Sequence, residues 1–224
     1  MTGHTDLPLS ARGRGDFVAL ARSLVEPPAR LVTSDLRRAR ESAAILAERW
    51  GIEPIVDSRL RELNFGEWEG HSWKEIEESD GERLGRWMRD WIHERTPGGE
   101  SFTDLLERVW EWLDEWRQRR SSNGDTMVVA HAGSIRAMLC RLLKAAPEEA
   151  FAFQVAHARL ISMTEESKCP LCGVENDCAV AAGRSVSACW CSGERIPADL
   201  VERISPERRG EACICSTCAG RRPS

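Results

Sequence analysis

Apolar residues recur at helical spacing in three clear places along the chain. Phe17, Leu20, Ala21 and Leu24 predict a first amphipathic helix, capped by Ser10 and ended by Pro27–Pro28. Leu36, Ala39, Ala43, Leu46 and Ala47 predict a second, capped by Ser34 or Asp35 and closed by Gly51. Phe102, Leu105, Leu106, Val109, Trp112, Leu113 and Trp116 form the stripe of a third. Between them lie short apolar runs. Arg30–Thr33 and Ile55–Val56 read as strands, and Thr126–Ala130, after an Asn123-Gly124 turn, reads as a buried parallel strand. A further helix is expected from Ser134 to Leu143 and a last strand over Arg159–Met163. Asn64–Gly70 is a Gly- and Trp-rich loop, Glu75–Arg95 is helical in pieces, and Pro97-Gly98-Gly99 is a break. Alternating strands and helices predict an α/β domain whose mostly parallel sheet is covered on both faces.

Composition changes this picture at one point. Eight of the nine cysteines fall between Cys169 and Cys218, and residues 166–224 balance eight acids against eight bases. The net charge of -5 therefore sits in residues 1–165, and we read two domains, 1–165 and 166–224, with a junction near Thr164–Lys168. The acidic balance argues against nucleic acid as a partner. No apolar run reaches the length of a membrane span, and the polar Met1–Ser10 does not read as a signal peptide, so a cytoplasmic location without membrane association is expected. The sequence leaves the oligomeric state open.

Open α/β sheets bind ligands beyond the carboxyl ends of their strands. Three segments reach that rim: Ser34-Asp35-Leu36-Arg37-Arg38-Ala39, Leu60-Arg61-Glu62-Leu63 and His131-Ala132-Gly133. An Arg, a Glu and a His beside helix N-termini suit a phosphoryl group. Arginine grips it with a bidentate fork, a carboxyl supplies a proton to a leaving alkoxide, and N–H groups attract the anion. Each residue has a plainer reading. Arg37, Arg38 and Arg40 also read as a solvated helix face, and Glu62 alone carries little weight. His131 is more telling, because a His between a buried strand and a Gly-started helix makes a poor core residue.

Five segments, in order, match the motifs of one family: Thr2–Ser10, Ser34–Glu41, Leu60–Gly70, Pro97–Phe102 and Val129–Gly133. On these the chain resembles the phosphoglycerate-mutase-like histidine phosphatases, nearest the alpha-ribazole phosphatase branch, over Thr2 to about Met163. The resemblance implies a three-layer α/β sandwich and a phosphomonoester hydrolase acting on a small phosphorylated metabolite through a phosphohistidine. Alpha-ribazole 5′-phosphate is a plausible substrate. It implies Arg38 as a clamp on the phosphoryl oxygens, Glu62 as the acid, His131 as a second phosphoryl-binding His, and Thr2 and Gly3 as a substrate-contacting turn. It implies no cofactor for this domain. Mutase-like phosphotransfer is a further alternative.

The family's Arg-His-Gly motif, at the end of a central first strand, occurs nowhere in the chain. As given, the sequence lacks that strand, the nucleophilic His and the first clamp Arg. His4, His71, His93 and His157 are expected to have non-nucleophilic roles. Either Met1 is a misassigned start, which the intact remaining motifs favour, or the gene is a decayed or repurposed copy. The second case makes the chain an inactive phosphate-binding or interaction module.

The tail carries Cys169, Cys172, Cys178, Cys189, Cys191, Cys213, Cys215 and Cys218. Close thiol pairs in a cytosolic chain argue for metal over disulfides, and eight sulfurs suffice for two tetrahedral zinc sites. The segment resembles a small bacterial family named for its Cys-Trp-Cys motif, through Cys189-Trp190-Cys191, Ile196-Pro197 and Arg209-Gly210-x2-Cys213-Ile214-Cys215. That resemblance implies no activity. A structural metal knot is the leading reading, with redox or metal delivery as the alternative. Cys140, among Met138, Leu139, Leu142 and Leu143, reads as a small core residue.

Overall fold

A computed structural model describes residues 1–119, 125–161, 169–174, 176, 178, 179, 186–192, 196–204 and 213–220. The Thr164–Lys168 junction, the Asn123-Gly124 turn, Arg209-Gly210 and the end of the expected last strand lie outside them. The chain divides into two compact units. One is Met1–Met138 with Pro147–Arg159; the other is Leu139–Ala146 with Leu160–Ser224.

The first unit opens with helix α1 (Ala11–Ser23), whose N-terminus is capped by Ser10, its hydroxyl accepting from the Gly13 N–H at 3.0 Å. Strand β1 (Arg30–Thr33) leads to helix α2 (Arg37–Trp50), and strand β2 (Ile55–Val56) follows. Helix α2 starts later than either capping residue expected for it. Leu36 stands at the N-cap with no side-chain bond, because the Ser34 hydroxyl is spent on the Leu36 N–H at 3.3 Å. Its other end is as expected. Gly51 adopts φ +66° and returns its N–H to Ala47 at 2.8 Å.

The charged middle segment forms helix α3 (Trp73–Arg89), started by a reciprocal Ser72–Glu75 capping box. It breaks at Asp80, whose backbone is non-helical and whose carboxylate accepts from the Trp68 indole at 3.0 Å. Helix α4 (Phe102–Arg119), strand β3 (Thr126–Val129) and helix α5 (Ala132–Leu143) complete the elements around the sheet. Helix α5 begins two residues earlier than the sequence predicts. Cys140 in it is buried, in keeping with a core role.

The sheet is parallel, with order β2-β1-β3. Thr33 stands opposite Val56 on one side and Val129 on the other. All three strands therefore end at one level, and the segments after them leave side by side. Two bonds fasten this exit: Ser34 N–H to Val129 O at 3.2 Å and Asp57 N–H to Thr33 O at 2.9 Å. Strand β3 departs from expectation. Only Val129 is buried and the other three residues are partly exposed, because among the described residues β3 pairs on one edge only. Residues 159–161 carry no strand.

Helices α1 and α2 pack Ala21, Ala43, Leu46 and Ala47 against Leu31 and Val129, with Phe17, Leu24 and Trp50 at the margin. The second unit has a far smaller core: Leu200 and Ile204, around the short helix α6 (Ala198–Glu202), packed with Ile214 and Cys169. Leu46 is 1% exposed. Leu46→Ala is expected to destabilise the chain by about 2–5 kcal/mol through lost burial and an unfilled cavity, read from the midpoint of urea unfolding.

Candidate active site

The rim beyond β1 and β3 brings together the three residues that the sequence singles out. Arg38 lies in the first turn of α2, half-buried. Its guanidinium donates to Gly3 O at 2.6 Å and Thr5 O at 3.0 Å, so it ties the N-terminal turn to the helix. Burial pulls its pKa down, opposed by Glu62, Glu69 and Asp6. Glu62 follows a single 3-10 turn, Ser58–Leu60, anchored by the fully buried Leu60. Its carboxylate accepts the N–H of Leu63 at 2.9 Å and that of Gly133, at the start of α5, at 3.0 Å. This explains Gly133. A Cβ there would stand 2.1 Å from Glu62 Oε1, so only glycine lets the acid rest on the helix N-terminus.

His131 precedes α5 and is 9% exposed. Its backbone N–H donates to the Ser134 hydroxyl at 3.1 Å, which returns a bond to the His131 carbonyl. Its Nε2 is buried and has no hydrogen-bond partner within the protein. Burial, and then the positive charges of Arg38, Arg108 and His4, push the imidazole down to about 3. It is therefore neutral at pH 7, beside cations that favour an anion.

Of the turn residues, Gly3 is buried and Thr2 is exposed. A Cβ on Gly3 would meet Leu63 O at 2.0 Å, so the turn needs glycine for close backbone approach. Glu69 holds the turn from beneath. Its carboxylate accepts from the N–H groups of Gly3 at 3.1 Å and Thr5 at 2.7 Å, and from the Thr5 hydroxyl. Burial raises the Glu69 pKa, but the Thr5, His4 and Phe65 donors outweigh it and leave the net shift downward.

Arg108 escaped the sequence reading, and Glu100, Asp35, Arg61 and His4 were given no role in the site by it. Arg108, on α4, donates to the carbonyls of Arg59, Arg61 and Glu62 at 2.7–2.9 Å and pairs with Glu100 through a 2.8 Å bond. Glu100 also accepts the Asn64 N–H at 2.9 Å. Asp35 and Arg61 form a bidentate pair at 2.8 and 2.5 Å. His4 places Nε2 2.9 Å from Glu62 O, which removes that nitrogen from nucleophilic work. The Glu100-Ser101 and Asp35-Leu36 positions sat inside recognised motifs. Arg108 had no local signal, because it lies on the polar side of an amphipathic helix. His71 and His93 lie off the rim: His71 lines a separate cleft with Trp68, Ile76 and Arg83, and His93 Nδ1 pairs with Asp90 at 2.8 Å on the surface.

In the second unit none of the nine cysteines is in a disulfide. The Sγ atoms of Cys169, Cys172, Cys215 and Cys218 lie within 4.8 Å of one another, a spacing that fits a tetrahedral metal. Burial opposes ionisation of Cys169. The N–H groups of Cys215, Cys172 and Leu171 outweigh it and bring that thiol down to about 6, whereas burial pushes the thiols of Cys215 and Cys218 up, Cys218 to about 12.

His131 yields a pH prediction. Its folded pKa of about 3 lies below the ordinary 6.5, so the unfolded chain binds the extra proton between those values. Its contribution to stability is therefore full above pH 6.5 and falls as the pH drops toward 3. His131→Gln is expected to flatten the pH dependence of the urea midpoint in that window. An unchanged slope counts against a buried neutral imidazole.

Comparison with known proteins agrees with this geometry. The profile of the histidine phosphatase superfamily (branch 1) matches residues 1–177, and that of the cysteine-rich CWC family matches residues 169–220. Glucosyl-3-phosphoglycerate phosphatase from Mycolicibacterium vanbaalenii is 36% identical over 151 residues, 64% of this chain and 66% of that protein. Adenosylcobalamin/alpha-ribazole phosphatase from Salmonella typhimurium is 29% identical over 143 residues, covering 63% and 70% respectively. The crystal structure of the alpha-ribazole phosphatase from Shigella flexneri superposes with a TM-score of 0.65 at 25% identity, over 70% of this chain and 78% of that one. The chain spans about two thirds of the length of these curated relatives. No described helix is long and apolar enough to cross a membrane. A mostly parallel sheet whose shared rim gathers Arg38, Glu62 and His131, together with a family profile running through most of the sequence, places the chain in the histidine phosphatase superfamily.

Proposed function

We propose that the protein hydrolyses a small phosphomonoester, with residues 1–165 as the phosphatase domain and 166–224 as a metal-stapled domain. The carrying observation is that the Glu62 carboxylate rests on the Gly133 N–H, two residues after the buried His131, whose Nε2 has no hydrogen-bond partner within the protein. Arg38 is close enough to both to act on their charges. Arg38 and His131 hold the phosphoryl oxygens, and Thr2 and Gly3 line the substrate turn. As the P–O bond to the leaving alcohol breaks, Glu62 gives that oxygen a proton. The phosphoryl group passes to a nucleophilic histidine that the sequence as given does not carry, and water then cleaves the N–P bond with Glu62 taking its proton back.

Both alpha-ribazole 5′-phosphate and glucosyl-3-phosphoglycerate, the phosphoesters in the relatives' names, are candidate substrates. In the second domain, the thiolates of the tail hold zinc, beginning with Cys169, Cys172, Cys215 and Cys218. The metal stands in for an apolar core. The composition favours a cytoplasmic protein.

A second reading has a specific observation behind it. The chain contains no Arg-His-Gly, and of the two rim histidines His4 has its Nε2 engaged and His131 has the phosphoryl-binding place. On that reading the rim binds phosphate without turnover.

Two measurements separate these readings. In the protein isolated from its own cell, turnover of p-nitrophenyl phosphate and of the two candidate esters is expected. Glu62→Gln and His131→Ala should each lower the rate by about 10²–10⁴-fold. Unchanged rates in both variants overturn the assigned roles. Inorganic phosphate should raise the melting temperature of the chain, by up to about 2.7 kcal/mol of added stability at a hundredfold excess over Kd. Arg38→Ala should abolish that rise. If phosphate binds but no ester is turned over, the binding module is the better account.

A further inference from the structure

The eight cysteines of the tail fall into two groups by contact. One is the tight set already described, with Cys172 and Cys215 Sγ 3.7 Å apart. The remainder are Cys178, Cys189, Cys191 and Cys213, and they too converge. Cys189 and Cys191 Sγ lie 3.2 Å apart. The Cys178 thiol is in hydrogen-bond contact with those of Cys189 and Cys213. Cys178 and Cys189 are 8% and 6% exposed and form one buried cluster with Ala179, against which Cys191 and Cys213 pack.

One residue fixes all the segments that deliver these sulfurs. Asn176, 0% exposed, donates its amide to Cys213 O at 3.1 Å and accepts the Cys178 N–H at 3.0 Å. Its backbone carbonyl accepts the Trp190 indole N–H at 3.2 Å. Trp190 stands between Cys189 and Cys191, so the indole orients that pair toward Cys178. A buried amide satisfied in this way holds a definite arrangement, because each of its bonds would be costly to lose. The arrangement it holds is four thiols facing one another, which apolar packing alone gives no reason to assemble.

We propose that Cys178, Cys189, Cys191 and Cys213 form a second tetrathiolate site, for zinc or a like thiophilic divalent ion, nested inside the first. This rests on the reading that the tail takes a metal at Cys169, Cys172, Cys215 and Cys218. In chain order the outer site takes the first two and last two cysteines, and the inner site takes the four between. The segment Cys213-Ile214-Cys215 feeds both, one cysteine to each metal, while Ile214 is buried with Leu200 and Ile204. Sulfurs of a tetrahedral zinc at about 2.3 Å stand about 3.8 Å apart. An ion at the inner site brings its four sulfurs to that spacing, with Cys189 and Cys191 spreading slightly from 3.2 Å. On binding, each thiol loses its proton to solvent and no redox change occurs.

The test uses the full chain grown with zinc. Native mass and metal analysis are expected to give two zinc ions per chain. All eight tail thiols should resist alkylation until a chelator is added. Cys191→Ser should leave one zinc with Cys169, Cys172, Cys215 and Cys218 still protected. Cys172→Ser should leave one zinc with the inner four protected. The site-resolved alkylation of the unmutated chain decides the matter even if a variant fails to fold. One zinc per chain, with the inner four thiols alkylated and the outer four protected, overturns the nested site and leaves the outer site standing. A denatured mass lighter by two hydrogens per inner pair, marking disulfides, also overturns it. No zinc at all removes the underlying reading as well.

Discussion

The rim depends on one guanidinium. Arg108 is 18% exposed at its side chain and sends its N–H groups to the carbonyls of Arg59, Arg61 and Glu62 and to both oxygens of Glu100. The short Ser58–Leu60 turn leaves the carbonyls of Arg59, Arg61 and Glu62 to be met from elsewhere, and the planar fork of Arg108 meets them from α4. A lysine ammonium lacks the fixed fork geometry that reaches these acceptors together. A half-buried charge is tolerated here because its donors are matched by Glu100 and by carbonyl dipoles. In this way the third amphipathic stripe, which looks purely structural, sets the position of Glu62.

Around that tie, the rim concentrates positive potential without leaving it uncompensated. Arg38, Arg61 and Arg108 stand against Asp35, Glu62 and Glu100. Burial and the cations keep His131 neutral. The Arg38 fork is held on Gly3 O and Thr5 O and the Gly133 N–H on Glu62, so the polar groups of the rim are fixed by the chain itself. The glycines of the rim serve the same end. Gly3 and Gly133 each occupy a place that a side chain would fill, next to Leu63 O and Glu62 Oε1. Both admit close polar contact between segments far apart in sequence.

The second unit meets the opposite constraint. Among its described tail residues, Leu200, Ile204 and Ile214 form only a small apolar cluster, which offsets little chain entropy. Its cysteines converge instead. The turn Cys169–Gly173 shows the local device: Gly173 at φ +72° returns its N–H to Cys169 O at 2.8 Å, and the Cys169 and Cys172 Sγ atoms lie within 4.8 Å of each other. Thiols from distant segments, Cys169 and Cys172 with Cys215 and Cys218, meet where a larger domain would bury apolar side chains.

Local patterning alone made legible the helices α1, α2 and α4, the strands β1, β2 and β3, the parallel alternation and the three residues of the rim, though it also predicted a strand from Arg159 that residues 159–161 do not form. Those signals are local: 3.6-residue periodicity, a Gly-closed helix, an apolar run followed by His-Ala-Gly. The sequence also located the cysteine-rich tail, because composition is visible without a fold. Tertiary structure decided the rest. That β3 pairs on one edge only, with three of its four residues partly exposed, depends on which strands lie beside it. That Arg108 and Glu69 hold the loops depends on carbonyls and N–H groups brought from other elements. That Gly133 must be glycine depends on Glu62 arriving 71 residues away in sequence. Which cysteine faces which depends on Asn176 and Trp190 joining three segments. Such contacts leave no periodic trace, since a hydrogen bond between distant segments imposes no spacing on the residues near it.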